Sequence, residues 1–269
     1  MVSVVPLLAG VLFLAVGGYG VYRGRRMRAE TALMEATETT DALAVTPGPV
    51  ELVGRAEPTD DGPLPAPFTD EDALAAWWEI EEWEESGKHS SWRTEGTGTY
   101  ATEFVLDDGT DRVVVRPDGA NLEFDPDTAW VREIGVDDPL PEPVERFLAM
   151  DSTPGGPREA FIKALDWGQQ VGDRKYRQKL IRPGDEVYVL GTATRVGAEE
   201  FGGNDFEVVA AADDGHRDAE RFIVSNRSEA ELVDARSNGT LYLAGGALLA
   251  LVGAALLVAG LAPGLLAAL

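Results

Sequence analysis

Two long uncharged apolar runs, residues 4–22 and 241–261, lie on either side of a polar stretch. Each has the roughly 20 residues that a helix needs to cross the hydrocarbon core of a bilayer, so both are predicted to be transmembrane helices. A cleaved signal peptide is the alternative for the first run, but basic residues follow it instead of preceding it. A buried core helix is the alternative for the second run, and its length and lack of charge disfavour that.

The polar stretch divides into a helical segment and a β-rich segment. Residues 29–46 are rich in Ala, Leu, Met and Glu and end at Pro47, which predicts a juxtamembrane helix. Residues 48–228 alternate apolar and polar positions and carry Asp-Gly turns, which predicts hairpins. We therefore expect a mainly β domain, a barrel or sandwich-like fold with OB-like among the options, with short helices and a transmembrane helix on each side.

Two segments inside the domain stand out. The run AAWWEIEEW fits both a helical and a two-residue period, so its secondary structure stays open at this level. The run KLIRPGDEVYVLGTA has two strand-like halves around a Pro-Gly-Asp motif, which predicts two strands joined by a turn. A further short helix is predicted over residues 158–167.

Four arginines follow the first apolar run: Arg23, Arg25, Arg26 and Arg28. Basic residues beside a membrane helix stay on the cytoplasmic side. The pattern predicts a two-pass protein of the cell membrane whose domain is cytoplasmic and whose N-terminus is outside.

The chain is strongly acidic, with 47 Asp and Glu against 23 Lys and Arg and a net charge of −24. Such a surface suits a halophilic organism with high internal salt, since it repels itself in dilute solution; an acidic interaction surface is the alternative. Nucleic acid is an unexpected partner because its recognition depends on clustered basic residues. The lipid bilayer and another, unidentified protein are the expected partners.

Chemistry-bearing motifs are weak. The chain has no cysteine, and its histidines, His89 and His216, lack a metal-ligand spacing. Gly96 to Ala101 fits G-x-G-x-x-A, but a strand-like run follows where a dinucleotide site needs a helix. Asp107, Asp108 and Asp111 lack EF-hand spacing, and the glutamates at 79, 81, 82, 84 and 85 read as a solvated face. No catalytic residue, cofactor or metal ligand is assigned.

Glycine recurs every seven residues in both apolar runs. A glycine face lets two membrane helices approach closely, although glycine is also common in such helices generally. The predicted packing positions are Gly10, Gly17, Gly24, Gly246, Gly253 and Gly260.

The order of these segments resembles a known family. A PVELVGRA start after a membrane helix, the aromatic AAWWEIEEW segment, and KLIRPGDEVYVLGTA before a final membrane helix resemble the GIDE domain. That domain belongs to a mitochondrial E3 ubiquitin ligase family with two membrane helices, a domain beside the membrane and a C-terminal RING. A RING folds around zinc held by Cys and His; no residue here matches its ligands, so the resemblance carries over no catalytic residue.

The leading hypothesis is a membrane-tethered, non-catalytic interaction or regulatory module built on a GIDE-like domain. One alternative is a member of the RING-type E3 ubiquitin transferase family that acts only with a separate catalytic partner. The other is an enzyme that uses Asp and Glu at the membrane surface. Whether this chain alone has enzymatic activity therefore stays open, and the sequence favours the absence of such activity.

Overall fold

The computed structural model describes residues 4–86, 89–150, 172–196, 206–210, 222–236 and 238–266. The chain forms two compact units, a helical one from residues 1–37 and 229–269, and a β-rich domain of residues 38–228. The mainly β class with short helices and two terminal apolar helices is confirmed. The predicted helix over residues 158–167 lies outside the described residues.

Four helices and thirteen strands are described. The helices are α1 (Val4–Ala36), α2 (Glu142–Ala149), α3 (Glu229–Arg236) and α4 (Gly239–Leu266). The strands are β1 (Gly48–Pro58), β2 (Leu64–Pro65), β3 (Asp72–Ala73), β4 (Ala75–Ser86), β5 (His89–Ala101), β6 (Phe104–Asp107), β7 (Arg112–Val115), β8 (Asn121–Glu123), β9 (Trp130–Ile134), β10 (Arg174–Ile181), β11 (Glu186–Arg195), β12 (Phe206–Val209) and β13 (Ile223–Ser225).

The helical unit contains both apolar helices. Val5–Ala32 and Glu229–Leu261 are each long and apolar enough to cross a membrane. Basic and acidic residues are equal in number in this unit, so the net charge of −24 falls on the domain.

Helix α1 runs on without a break from the apolar run through the arginines and ends at Ala36. The expected separate helix over residues 29–46 is therefore partly the end of α1, and the rest is not α-helical. The threonines after Ala36 have low helix propensity, and they are drawn to the domain instead. Thr39 Oγ1 donates to Glu51 Oε1 at 2.7 Å, and the Thr40 amide donates to the Glu51 carbonyl at 2.9 Å.

Five strands close into a barrel. Strand β1 pairs with β6, β6 with β7, β7 with β12, β12 with β11, and β11 again with β1. All of these pairs are antiparallel except β7 with β12. Numbered along the chain within the barrel, the strand order is one-two-three-five-four, which is the connectivity of an OB fold. Strands β13 and β8 extend this sheet beyond β11.

The barrel core is filled by the inward-facing residues of the alternating strands. Leu52, Leu106, Val115, Val189 and Val208 are all fully buried. The turn between β10 and β11 is made by Gly184 at φ +90°, a conformation that favours glycine. Its amide donates to the Ala56 carbonyl at 2.7 Å, which joins the turn to β1. The two strands predicted in KLIRPGDEVYVLGTA are therefore present with a turn between them, but they enter different sheets and do not form a hairpin.

A second sheet has the order β5-β4-β10-β9. The AAWWEIEEW run is strand, with Trp78 and Ile80 buried on its inner face. Tyr176 of β10 and Phe147 of α2 complete this smaller core; the Trp78 and Phe147 rings meet edge to face with centroids 5.2 Å apart. The open choice between helix and strand is thus settled by pairing with two neighbouring strands.

Candidate interaction surfaces

The glycines that recur every seven residues all lie buried between α1 and α4. A Cβ placed on Gly17 would lie 2.7 Å from the Gly246 carbonyl oxygen, and one on Gly10 would lie 2.9 Å from that of Gly253. These pairings show that the two helices are antiparallel with their backbones in contact. We call this line of contact, at the six recurring glycines, the glycine seam. Gly18 has no atom within 4 Å of its Cβ position, so it lies off the seam. That the seam determines pairing in a bilayer stays a prediction.

Just after the last seam glycine of α1, Arg26 and Glu30 form an ion-pair network with Arg236 of α3. Arg236 Nε lies 3.0 Å from Glu30 Oε2, and Arg26 Nε lies 2.9 Å from Glu30 Oε1. Arg236 is 7% exposed, and it also donates to the Leu232 carbonyl at 3.0 Å. Arg236 therefore joins α3 to Glu30 of α1, while Arg26 of α1 itself pairs with the other oxygen of Glu30, and removing Glu30 would take its carboxylate partner from buried Arg236.

The four predicted topology arginines have different surroundings. All four are exposed. Arg26 belongs to the Glu30 network, and Arg23 donates to Tyr19 Oη at 3.4 Å while its guanidinium lies 5.4 Å from the Tyr242 ring centroid. Within the described residues, the side chains of Arg25 and Arg28 have no ion-pair or hydrogen-bond partner. The direction in which the four arginines orient the chain stays a prediction.

The outer face of the second sheet carries a ladder of ion pairs. Arg177 of β10 lies 3.4 Å from Glu79 and 3.1 Å from Glu81, both on β4. On the other side of β10, Lys175 Nζ lies 3.0 Å from Glu133 Oε1 of β9. Cross-strand pairs of opposite charge stabilise a sheet, and here they neutralise much of the face.

Half-buried tryptophans lie between these charges. Trp83 and Trp92 face each other across β4 and β5, edge to face, with centroids 5.2 Å apart. Lys175 Nζ lies 3.8 Å from the Trp92 centroid, and Lys179 Nζ lies 5.4 Å from that of Trp77. We call this outer face, with Trp77, Trp83, Trp92 and the ion pairs of Lys175 and Arg177, the tryptophan face.

The barrel has an open groove of about 450 Å³ beside β1 and the β6–β7 turn. Among the described residues that line it, the charged ones are Arg55, Glu57, Asp107, Asp108 and Glu186. OB barrels that bind nucleic acid use the face of their second and third strands. The acidic lining here repels a phosphate backbone.

The residues considered for metal and cofactor chemistry have structural roles. Gly96 and Gly98 lie within β5, paired with Ile80 and Trp78, so the G-x-G-x-x-A match is a strand segment. Asp108 Oδ1 accepts hydrogen bonds from the Thr110 amide, the Thr110 hydroxyl and the Asp111 amide. Among the described residues, no three His, Asp or Glu side chains are grouped to hold a metal ion.

The glutamate-rich strand places its carboxylates on alternate faces. Glu79 and Glu81 pair with Arg177, while Glu82 accepts from the Gly172 amide at 2.9 Å and Glu84 pairs with Arg93 at 3.0 Å. The side chain of Glu85 lies outside the described ones. His89 begins β5, and His216 lies outside the described residues. The described glutamates of β4 thus have separate partners, and their carboxylates do not converge on one cleft.

Buried Glu51 is a feature that the sequence patterns do not indicate. It is 1% exposed, and Tyr188 Oη donates to its Oε2 at 2.9 Å. Thr39 holds the other oxygen, so Glu51 ties the segment after α1 to β1 and β11. The link between Glu30 and Arg236 was likewise missed, because those residues are 206 positions apart; only the i,i+4 spacing of Arg26 and Glu30 is visible in the sequence.

The fold defines a class of protein, an OB-like barrel joined to a second sheet and flanked by two helices that can span a membrane. The model of the GIDE family, described as E3 ubiquitin ligase, matches residues 79–260. The chain belongs to the GIDE family, which confirms the resemblance; the match begins within the AAWWEIEEW segment and covers all of KLIRPGDEVYVLGTA, whereas PVELVGRA lies before it. Comparison with curated proteins and with solved structures gave no match.

Proposed function

We propose that this chain is a membrane-tethered, non-catalytic interaction module that uses its GIDE domain to hold a protein partner at the cytoplasmic surface of the cell membrane. The observation that carries the proposal is the tryptophan face. Tryptophan and arginine are enriched at protein interfaces, whereas interface cores are depleted of charged residues. A face whose charges are already paired within its own sheet costs less to bury.

The partner surface that fits this face is apolar and aromatic, with few charges. The ion pairs set Arg177 and Lys175 against three glutamates, and Lys179 beside Trp77 balances the remaining negative charge, so the face offers little net charge for a strongly charged partner to neutralise. Concentrated salt screens charge attraction, with a Debye length of about 3 Å at 1 M. In the salt-rich cytoplasm proposed for this acidic chain, contact between apolar rings is the more effective source of affinity.

The tether and its orientation are part of the same proposal. The two helices supply the anchor, and the arginine-rich end of the first apolar run supports a cytoplasmic domain. A cysteine at exposed Ser91 should resist an impermeant thiol reagent on intact cells and react after the cells are opened. Strong labelling of intact cells would overturn the orientation.

Site-specific photo-crosslinking in native membranes tests the tryptophan face. A crosslinking residue at Val131, 50% exposed on β9, should give one discrete protein adduct. The same residue at Val53, 36% exposed in the acidic groove, is the matched control and should give none. Adding Trp77→Ala or Trp92→Ala should reduce the Val131 adduct while leaving the amount of chain unchanged. Equal adducts from both positions, or none from Val131, would refute the proposed face.

A second candidate function follows from the family description, E3 ubiquitin ligase. In this version the chain binds substrate while a separate zinc protein supplies transfer. The protein captured from Val131 would then contain a zinc-bound RING, and mixing it with the chain would restore transfer of ubiquitin or a ubiquitin-like protein. A captured partner without zinc, and without transfer activity in the mixture, would exclude this version and leave the non-catalytic module.

A further inference from the structure

The four arginines of α1 lie at a defined depth if the first apolar run spans a bilayer. Residues 4–22 rise by about 1.5 Å each in a helix, or roughly 28 Å in all, which matches the ~30 Å hydrocarbon core. Because α1 continues without a break to Ala36, the arginines stay on the same rigid helix. The first turn and a half beyond the core, from Arg23 to Arg28, then falls in the layer of lipid headgroups.

Two of these arginines have partners within the protein. Arg26 is paired with Glu30, which also holds Arg236. Arg23 reaches back to Tyr19 and lies over the Tyr242 ring. Neither is therefore the first choice for a ligand outside the protein.

Arg25 and Arg28 differ from them. Both are exposed, and within the described part of the chain neither side chain has a hydrogen-bond or ion-pair partner. At a spacing of three residues they are neighbours on the helix surface. The Arg28 stem also lies against the start of α4, since a Cβ on Gly239 would be 3.2 Å from Arg28 Cγ. The Arg28 stem is thus held at one side of the helix hairpin, and among the described residues neither guanidinium group has a polar partner.

We propose that Arg25 and Arg28 form a binding site for the phosphate of an anionic lipid headgroup. The proposal rests on the membrane tether proposed above and identifies the lipid that the tether contacts. Guanidinium forms paired hydrogen bonds with phosphate oxygens, which gives both strength and geometry. Such direct contacts persist in concentrated salt, where attraction beyond about 3 Å is screened. An anionic bilayer would otherwise repel a domain that carries the whole net charge of −24.

Lipid titration of the full chain in detergent tests the site, with bound lipid counted by native mass spectrometry. We expect phosphatidylglycerol to bind about tenfold more weakly to the double variant Arg25→Gln/Arg28→Gln, the loss that corresponds to one charge-assisted contact. Phosphatidylcholine, whose choline cation neutralises its phosphate and is repelled by the arginines, should bind both proteins equally. The matched control is Arg55→Gln/Arg132→Gln, which removes the same charge from exposed arginines of the domain and should bind phosphatidylglycerol like the parent.

Further measurements distinguish a lipid site from a free-phosphate site and from a failure of the tether. Arg25→Lys/Arg28→Lys should keep binding in dilute salt and lose it in 2 M KCl, because an ammonium lacks the paired geometry. Inorganic phosphate that displaces the lipid at equal concentration would show a free-phosphate site and overturn the assignment to lipid. Equal phosphatidylglycerol binding by parent and double variant would also overturn it. Flotation with phosphatidylcholine vesicles tests the tether by itself: a chain that fails to float refutes the tether, and one that floats leaves the lipid titration to decide the site.

Discussion

Gly98 lies directly opposite Trp78, and a Cβ on Gly98 would be 2.9 Å from the atoms of the buried indole ring. Contacts this short are not tolerated, so the glycine lets the ring lie flat against the edge strand. Gly98→Ala should destabilise the domain by about 1–3 kcal/mol, as overpacking of a filled core does. Denaturation followed by tryptophan fluorescence measures it. Thr99→Ala, on the exposed face of the same strand, should cost less; equal losses would contradict this role of Gly98.

Larger side chains at the glycine seam should separate the two apolar helices. Gly17→Leu and Gly253→Leu place bulk where backbone atoms of the other helix lie within 3 Å. Disulfide formation between one cysteine introduced into each helix beside the seam, at positions other than its glycines, reports pairing in membranes in a chain without native cysteine.

The matched controls for this prediction come from the same helices. Gly18→Leu and Gly245→Leu add the same bulk into open space and should cross-link like the parent. Leu14→Ala and Leu256→Ala should have small effects as well. Equal cross-linking in all variants would mean that the glycines do not direct packing.

Asp108 should make the domain sensitive to acid. Burial opposes its ionisation, but hydrogen bonds from the Ala42 amide, Thr110 and the Asp111 amide outweigh that effect and lower its pKa. A lowered pKa stabilises the fold above the unfolded value of about 4, and the stabilisation is lost as the pH falls through the folded value.

Asp108→Asn therefore should cost about 1.5–3 kcal/mol at neutral pH, the scale of hydrogen bonds to a charged group. The difference from the parent should begin to shrink below about pH 4, where the unfolded chain takes up the proton first, and should be lost as the pH falls through the lowered pKa of the folded carboxylate. Denaturant titrations at several pH values measure this. Asp118→Asn, on an exposed side chain, is the control, and a gap that does not change with pH would contradict the assigned cause.

Salt tests the proposal of a halophilic source. At a net charge of −24, dilution lengthens the Debye length from about 3 Å at 1 M to about 30 Å at 0.01 M and strengthens self-repulsion. The melting temperature of the purified chain in detergent should therefore fall from molar to millimolar KCl. A melting temperature that holds or rises on dilution would show that the acidity serves another purpose.

The sequence predicts those elements that depend on local pattern. The length of the two hydrophobic runs predicts both apolar helices, and the Pro-Gly-Asp motif predicts the turn at Gly184. Local pattern could not decide between helix and strand for the tryptophan run of β4, because the deciding partners, β5 and β10, lie elsewhere in the chain. It also extended a helix past Ala36, where tertiary hydrogen bonds from Thr39 and Thr40 to Glu51 prevail over propensity.

The candidate surfaces are harder to predict than the elements. The tryptophan face depends on the register that sets Lys175 opposite Glu81 and Glu133, and nothing in either segment alone specifies that register. The barrel depends on the parallel pairing of two residues of β12 with β7. In contrast, the seven-residue glycine spacing is visible in the sequence because each helix carries its own half of the seam.

Closure of the barrel between β1 and β11 has a consequence for synthesis. The first barrel strand leaves the ribosome well before its partner, and β12 must follow before the ring is complete. Pairing over such sequence distances is slow because loop-closure entropy has to be overcome first. The nascent domain thus stays open until residue 209 has emerged, shortly before α4 begins at Gly239. Completion of the domain and emergence of the second apolar helix from the ribosome consequently compete in time, and a destabilised barrel would leave its unfinished strands exposed.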